Sequence, residues 1–298
     1  MTPAPRTHLA SARPAAEAAA RLGRNRLAVT GLTIIGGFLA AALMAPVLAP
    51  EHPGPNGIWS TDLGAVRVPP SAAHFLGTDT VGRDQYSRML YGARVSLAIG
   101  VLSVSMAIVV GTLLGALAGF FGAWPDMIIM RLVDIMLAFP SILLALAIVA
   151  LIGQGLMNVM IAVGLISVPS YARIVRASVI GERAKDYVEA SRALGAGRGR
   201  LLFRHVLPNS LSPLIVAASL GIGTAILDAA GLGFLGLGAQ PPLAEWGLML
   251  SQYRQSLFTE WWLVAFPGIA IMLTVLGFNL LGDGLRDVLD PRLRRAKG

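Results

Sequence analysis

From Ile135 to Ala172 the chain carries no charged residue. As one α-helix this stretch would run about 57 Å at 1.5 Å per residue, nearly twice the roughly 30 Å hydrocarbon core of a bilayer. It has to fold back, and Gly153-Gln154-Gly155 supplies the turn. Two spans are expected from it, 127–152 and 156–175. Further apolar runs of spanning length lie at 27–49, 95–125, within 211–237 and at 261–281. The reading is an all-α polytopic membrane protein with six transmembrane helices. Composition agrees: 55% of residues are hydrophobic and 13% charged, whereas a soluble domain carries about a quarter charged residues. The first run exceeds a signal-peptide core and ends in Ala45-Pro46 and Ala49-Pro50, a poor cleavage site, so it is expected to remain as a helix.

The net charge of +8 is distributed by topology. Arg6, Arg13, Arg21, Arg24 and Arg26 precede the first span. Arg173, Arg176, Arg183, Lys185, Arg192, Arg198, Arg200 and Arg204 crowd the segment between spans four and five, and Arg286, Arg292, Arg294, Arg295 and Lys297 follow the last. With an even number of crossings these regions share one side, which the positive-inside bias makes the cytoplasm. Arg67, Arg83, Arg88, Arg94 and Arg254 remain for the other side. The expected organisation is a cytoplasmic tail 1–26, a first helix 27–49, an extracytoplasmic loop 50–94, a membrane core 95–285 and a cytoplasmic tail 286–298. Basicity of this kind serves orientation and does not point to nucleic acid.

Several chemistries are missing. Without cysteine there are no disulfides, thiolate metal sites or thiol nucleophiles. A phosphate-cradling loop ends in Gly-Lys-Ser/Thr, but the only lysines, Lys185 and Lys297, each follow alanine. Gly231, Gly233 and Gly236 match a dinucleotide-binding spacing, yet they lie in an apolar run with no strand before them and read as close helix packing or a bend. Gly111, Gly115 and Gly119 recur every fourth residue and predict tight packing of span two on a neighbour. His8, His52, His74 and His205 are scattered without acids at metal spacing, and the 50–90 loop lacks EF-hand spacing. No metal, no bound cofactor and no enzymatic activity are expected, since a membrane enzyme would need a convergent acid, base or metal set.

An ionised Asp at mid-helix costs roughly 3 kcal/mol to insert, so it faces protein or water. Asp134 lies one turn from Arg131, and local pairing is the expected account. Asp228 has no basic neighbour in its helix; it lines a pathway, anchors a gate or carries a proton. The last role would make the chain an ion-coupled secondary transporter, with Asp134 as a second site. Asp79, Arg83 and Asp84 in the external loop serve either to contact a partner or to fold the loop through internal ion pairs.

Between spans four and five, Ile180, Ala184, Tyr187, Ser191 and Leu194 form one stripe at helical spacing. Gly195, Gly197 and Gly199 then break the helix, and a short segment resumes through Leu201, Leu202 and Val206 to Pro208. The result is a helix–turn–helix bracket at 177–208, tied to the membrane at both ends, through which a moving partner would pull on two spans. A purely structural scaffold would make this bracket dispensable.

The string Glu189-Ala190-Ser191, Gly195, His205, Leu207 and Pro208 resembles the EAA loop of permease subunits of bacterial ATP-binding-cassette importers. His74-Phe-Leu-Gly77-Thr78-Asp79 with Gly82-Arg83-Asp84, Leu137-Ala-Phe-Pro140, Phe234 to Gly238 with Gln240-Pro-Pro, and Asn279 to Pro291 are similar to the C-type permease of the dipeptide/oligopeptide family, related to nickel and glutathione carriers. The resemblance implies a type I importer fold forming half a translocation pathway for peptides, with nickel chelates or glutathione as alternatives. It also implies a second permease, two cytoplasmic ATPase subunits holding ATP and Mg, an extracytoplasmic binding protein, and a bacterial inner-membrane location. Carried over, Glu189 contacts the ATPase and Gly195 forms the turn that seats the loop, with Ala190, His205, Leu207 and Pro208 completing the motif. The chain departs from the family where Asp228 stands in place of Glu and Gly233 in place of Ser.

Overall fold

A computed structural model describes residues 22–54, 57 and 59–289. Most of the two expected tails, 1–26 and 286–298, lies outside the described residues. Helix α1 (Arg26–Leu48) starts where the Asn25 side chain accepts from the backbone N–H groups of Leu27 and Ala28, satisfying donors that the first turn leaves free. Helix α2 (Gln85–Phe121) begins ten residues before the expected Val95. Asp84 caps it by accepting from Ser87 N at 2.7 Å. The early turns carry Arg88, a charge that a hydropathy reading assigns to the loop but that the fold buries.

The expected span 127–152 is not one helix. It consists of α3 (Ala123–Leu137) and α4 (Ser141–Ile152), bent by 96° at Ala138-Phe139-Pro140. Pro140 has no N–H to give and disfavours helical backbone at Phe139, so the ladder stops there. Helix α4 alone measures about 18 Å and could not cross the bilayer core unaided. Among the described residues five helices are long and apolar enough to cross a membrane, and the bent α3–α4 pair makes a sixth if it counts as one broken span.

Helix α5 (Leu156–Arg183) follows the predicted Gly153-Gln154-Gly155 turn and outlasts the expected limit at 175. A short α6 (Asp186–Ala193), an irregular helical segment over 198–209, α7 (Ser212–Phe234), α8 (Trp246–Tyr253) and α9 (Trp262–Leu289) complete the chain. Helix α8 has no counterpart in the sequence reading. Glu245 creates it by accepting from Gly247 N and Leu248 N at 2.8 and 2.7 Å.

Inside a bilayer, apolar burial drives association weakly, and close backbone approach takes its place. The face predicted from Gly111, Gly115 and Gly119 packs on α5: a Cβ on Gly111 would stand 2.7 Å from the Tyr171 Cβ, and one on Gly119 would stand 2.8 Å from the Arg176 carbonyl oxygen. Helices α1 and α9 meet through Gly31, Gly277 and the pair Gly284 and Ala28. Asn25 Nδ2 donates to Asp287 Oδ2, which brings the start of α1 to the end of α9. At the opposite end Glu51 N donates to Ser87 Oγ, joining the exit of α1 to the entry of α2. The bundle thus has a bracket end, with residues 184–210, and a loop end, with residues 49–84 and α8.

Candidate coupling site

At the bracket end the expected single stripe from Ile180 to Leu194 is interrupted. Helix α5 stops at Arg183, Lys185 leads into α6 with extended backbone, and Leu194 is left 89% exposed. The break is tied internally. Glu182 receives Lys185 Nζ at 2.6 Å and Tyr187 Oη at 2.7 Å. Asn209 Nδ2 donates to the His205 carbonyl oxygen (2.7 Å) and to Tyr187 Oη (3.2 Å), which closes the bracket across its two arms.

Apolar packing does the rest. Val188 of α6 and Leu201, Leu202 and Val206 of the second arm are buried in the same core as Val175 and Val179 of α5. Leu207 packs at its edge. Residues 201–206 form a wide π-helical turn running into Pro208. Gly195 has φ +85°, a left-handed conformation open to glycine at little cost, and a Cβ there would meet nothing within 4 Å. Glu189, Ala190 and Pro208 are exposed, and His205 is half-buried with its carbonyl in the tie. The sequence motif residues thus divide into an inner set that holds the bracket and an outer set, Glu189, Ala190, Leu194 and Gly195, that it displays.

The bracket is continuous with the spans. Arg183 Nη1 donates to the Phe120 carbonyl oxygen at the end of α2 (2.5 Å). Arg176 Nε and Nη2 reach Asp126 Oδ1 and Oδ2 at 2.5 and 2.6 Å, a two-point grip between α5 and α3. Asp134 is paired with Arg173 at 2.6 Å and not with Arg131 as its spacing suggested. Both acids of α3 thus face α5.

The loop end has a different character. Asp79, Asp84 and Arg88 are buried. Asp79 Oδ1 accepts from the backbone N–H groups of Val81 and Arg83 at 2.9 and 3.0 Å. Its Oδ2 accepts from Arg83 Nε (2.6 Å), Arg88 Nη1 (2.8 Å) and Tyr253 Oη (2.8 Å). Arg88 Nη2 also donates to Gln252 Oε1 at 3.0 Å. Burial works to raise the Asp79 carboxyl, but the Arg88 guanidinium and the Arg83 contacts outweigh it and hold the group below the usual carboxylate range. Burial pushes the Tyr253 phenol up, which suits its role as donor. Arg88, Gln252, Tyr253 and Glu245 were not singled out in the sequence; Arg88 offered only its membership of an apolar-flanked run, and α8 offered no signal beyond an acid before Trp246-Gly247. Burial likewise pushes the Glu245 carboxyl up, against the Gly247 and Leu248 N–H groups and the Ser96 hydroxyl.

Asp228 lies half-buried on α7. Leu227, Ala230 and Gly231 of α7 line, with α8 and α9, an open apolar pocket of about 530 Å³ that Asp228 itself does not line. Among the described residues no cluster of His, Asp or Glu has the arrangement of a metal site.

Residues 111–295 match the family described as binding-protein-dependent transport system inner membrane component, and residues 13–70 match the N-terminal transmembrane domain of oligopeptide transport permease C. The dipeptide transport system permease protein DppC of Alkalihalophilus pseudofirmus is 50% identical over 293 residues, covering 98% of this chain and 95% of that protein. DppC of Escherichia coli strain K12 is 51% identical over 278 residues, 91% of each chain. The glutathione transport system permease protein GsiD of Pectobacterium atrosepticum is 46% identical over 274 residues, 92% of this chain and 90% of that protein. Among solved structures, a chain of the MetNI methionine ABC transporter in an inward-facing conformation shares the fold, with a TM-score of 0.55 and 22% identity over 67% of this chain and 96% of that one.

Proposed function

The chain belongs to the binding-protein-dependent inner-membrane permeases of ABC importers, in their dipeptide and oligopeptide C-type branch, and from that membership we propose that it forms half of a peptide pathway driven by ATP hydrolysis on separate subunits. Its partners in this reading are a second permease, two ATPase subunits that hold ATP and Mg, and a binding protein that delivers di- or oligopeptides. The bracket end faces the cytoplasm, as the arginine distribution requires. In this reading residues 184–210 are cytoplasmic and the loop end, which includes 59–84, is extracytoplasmic.

The observation that carries the reading is the division of the bracket into a held and a displayed half. Tyr187, Glu182, Asn209 and the Val188–Leu201–Leu202–Val206 packing make it stiff. Arg183 and Arg176 join it to α2 and α3. A stiff lever on several spans transmits a displacement that a loose loop would absorb. ATP-driven closure of the ATPase pair moves Glu189 and the Gly195 turn, and the spans follow towards the outward-facing state. For this to drive transport, the ATPase must bind the two states unequally, since equal binding shifts nothing. In the external loop, the interior placement of Asp79, Arg83 and Asp84 supports a loop-folding role over partner contact.

The similarity to GsiD adds glutathione, itself a tripeptide, as a second candidate within the same substrate chemistry. The test of coupling replaces Glu189→Ala and Gly195→Trp in the assembled complex. Substrate-stimulated ATPase activity is expected to fall roughly tenfold, within the usual range of coupling energies, while basal hydrolysis stays. Unchanged stimulation and uptake would remove the assignment.

A further inference from the structure

Acids in the spans between residues 95 and 281 have partners, with one exception. Asp126 grips Arg176, Asp134 pairs with Arg173, and Glu182 holds Lys185. The Asp228 carboxylate makes no ion pair and no hydrogen bond among the described residues.

The surroundings of α7 define where this acid sits. Gly221 abuts Tyr171 of α5, Ile226 packs on Gly100 of α2, Leu220 packs on Gly282 of α9, and Ala230 meets Gly247 of α8. What remains is one open face, bordered by α9 on one side and by Ile142 of α4, 3.8 Å from a Cβ on Gly231, on the other. Thr224 and Leu227 are exposed on it, and Asp228 lies one turn from Thr224. A carboxylate turned to lipid tails at mid-helix would cost roughly 3 kcal/mol. A face that carries one therefore meets water or a polar surface of a partner, not lipid.

We propose that the Thr224–Asp228 face is a wall of the translocation pathway and that Asp228 is the countercharge for the α-ammonium group of a passing peptide. This rests on the peptide reading given above. A peptide entering a narrow passage keeps its terminal charges while losing hydration, and a fixed carboxylate compensates the cationic end without having to be neutralised. The Thr224 hydroxyl, whose proton is given to the Leu220 carbonyl oxygen, keeps its lone pairs for peptide N–H groups.

The test uses the whole complex in proteoliposomes with its binding protein. Initial uptake is measured for a dipeptide and for its N-acetylated form, each first shown to bind the binding protein. Asp228→Asn is expected to slow the free-amine peptide by roughly two- to fivefold, the worth of one partly exposed charge pair, to leave the acetylated peptide unchanged, and to be rescued by Asp228→Glu. Equal loss for both peptides, or no loss, overturns the proposal. A second measurement does not depend on the acetylated probe. The chain has no cysteine, so Thr224→Cys is a single label site; a cationic thiol reagent should react faster than an anionic one, and adding Asp228→Asn should abolish that preference. A preference that survives, or a site closed to both reagents, overturns the proposal. Normal charge preference in a wild-type complex that moves no peptide would instead break the peptide reading and leave an acidic pathway wall standing.

Discussion

The two ends of the bundle treat polar groups in opposite ways. At the loop end five side chains, Asp79, Arg83, Arg88, Gln252 and Tyr253, from two distant stretches of chain converge and hydrogen-bond to one another, with only the Arg88 Nε of this group left unpaired. At the bracket end the Glu189 carboxylate makes no hydrogen bond or ion pair among the described residues, and Leu194 and Gly195 are exposed beside it. A region whose polar groups are consumed internally is fixed in place by them. A region that leaves them on display keeps them accessible, as the coupling proposal needs. The loop end joins α2 to α8, while the bracket is tied within itself and exposed at its tip.

The sharpest way to break this contrast is to remove one partner at each end. Arg88→Ala leaves Asp79 buried without its main countercharge. Uncompensated buried charges of this kind cost about 3–5 kcal/mol, so thermal unfolding of the solubilised complex should shift strongly downward, with less protein reaching the membrane. Leu194→Ala, at a side chain 89% exposed, should change stability by no more than about 0.5 kcal/mol. Comparable losses at the two ends would mean that the bracket is also an internal structural element. Because a buried pair is often no better than an apolar substitute of similar shape, the Arg88–Asp79 pair is better regarded as fixing one arrangement of the loop than as a net source of stability.

How much of this was legible follows from which signals are local. Spans and turn residues are local, and Gly153–Gly155, the Gly111/Gly115/Gly119 face and the break at Gly195 stand where the sequence placed them. The break at Pro140 was also local, but an uncharged run of spanning length hid it. The bracket's motif residues were visible, yet the interruption at Ala184–Lys185 depends on Glu182 meeting Lys185, Tyr187 and, through Tyr187, Asn209 of the second arm. The Asp79 cluster was not legible, because Arg88 and Tyr253 are 165 positions apart and only the packing of α8 on α2 unites them. For the same reason Asp134 found Arg173 and not the nearer Arg131.

Acid tests the loop end next. The Asp79 carboxyl is held below its ordinary range in the folded protein. Its contribution is therefore complete above the unfolded value near 4 and is lost as pH falls through the lower folded value. Unfolding midpoints should be level from about pH 5 to 8 and decline below about pH 4. The Asp79→Asn variant, already lacking that charge, should show a shallower decline. This effect should be smaller than that of Arg88→Ala, since a protonated Asp79 still accepts from the Val81 and Arg83 backbone.

The smallest expected effect belongs to the Arg173–Asp134 pair. Its two side chains are 54% and 51% exposed, so solvent screens the attraction and holding a long Arg in one geometry offsets part of the gain. A double-mutant cycle of Arg173→Ala and Asp134→Ala should give a coupling of at most about 1 kcal/mol in stability. The informative quantity is its sensitivity to salt: an exposed pair should lose most of its coupling between low and roughly 0.5 M salt, whereas the Arg88–Asp79 cycle should barely respond. If the Arg173 cycle proved large and insensitive to salt, the pair would be buried in the assembled complex, and α3 would then lie beneath a partner at the same end of the bundle as the bracket.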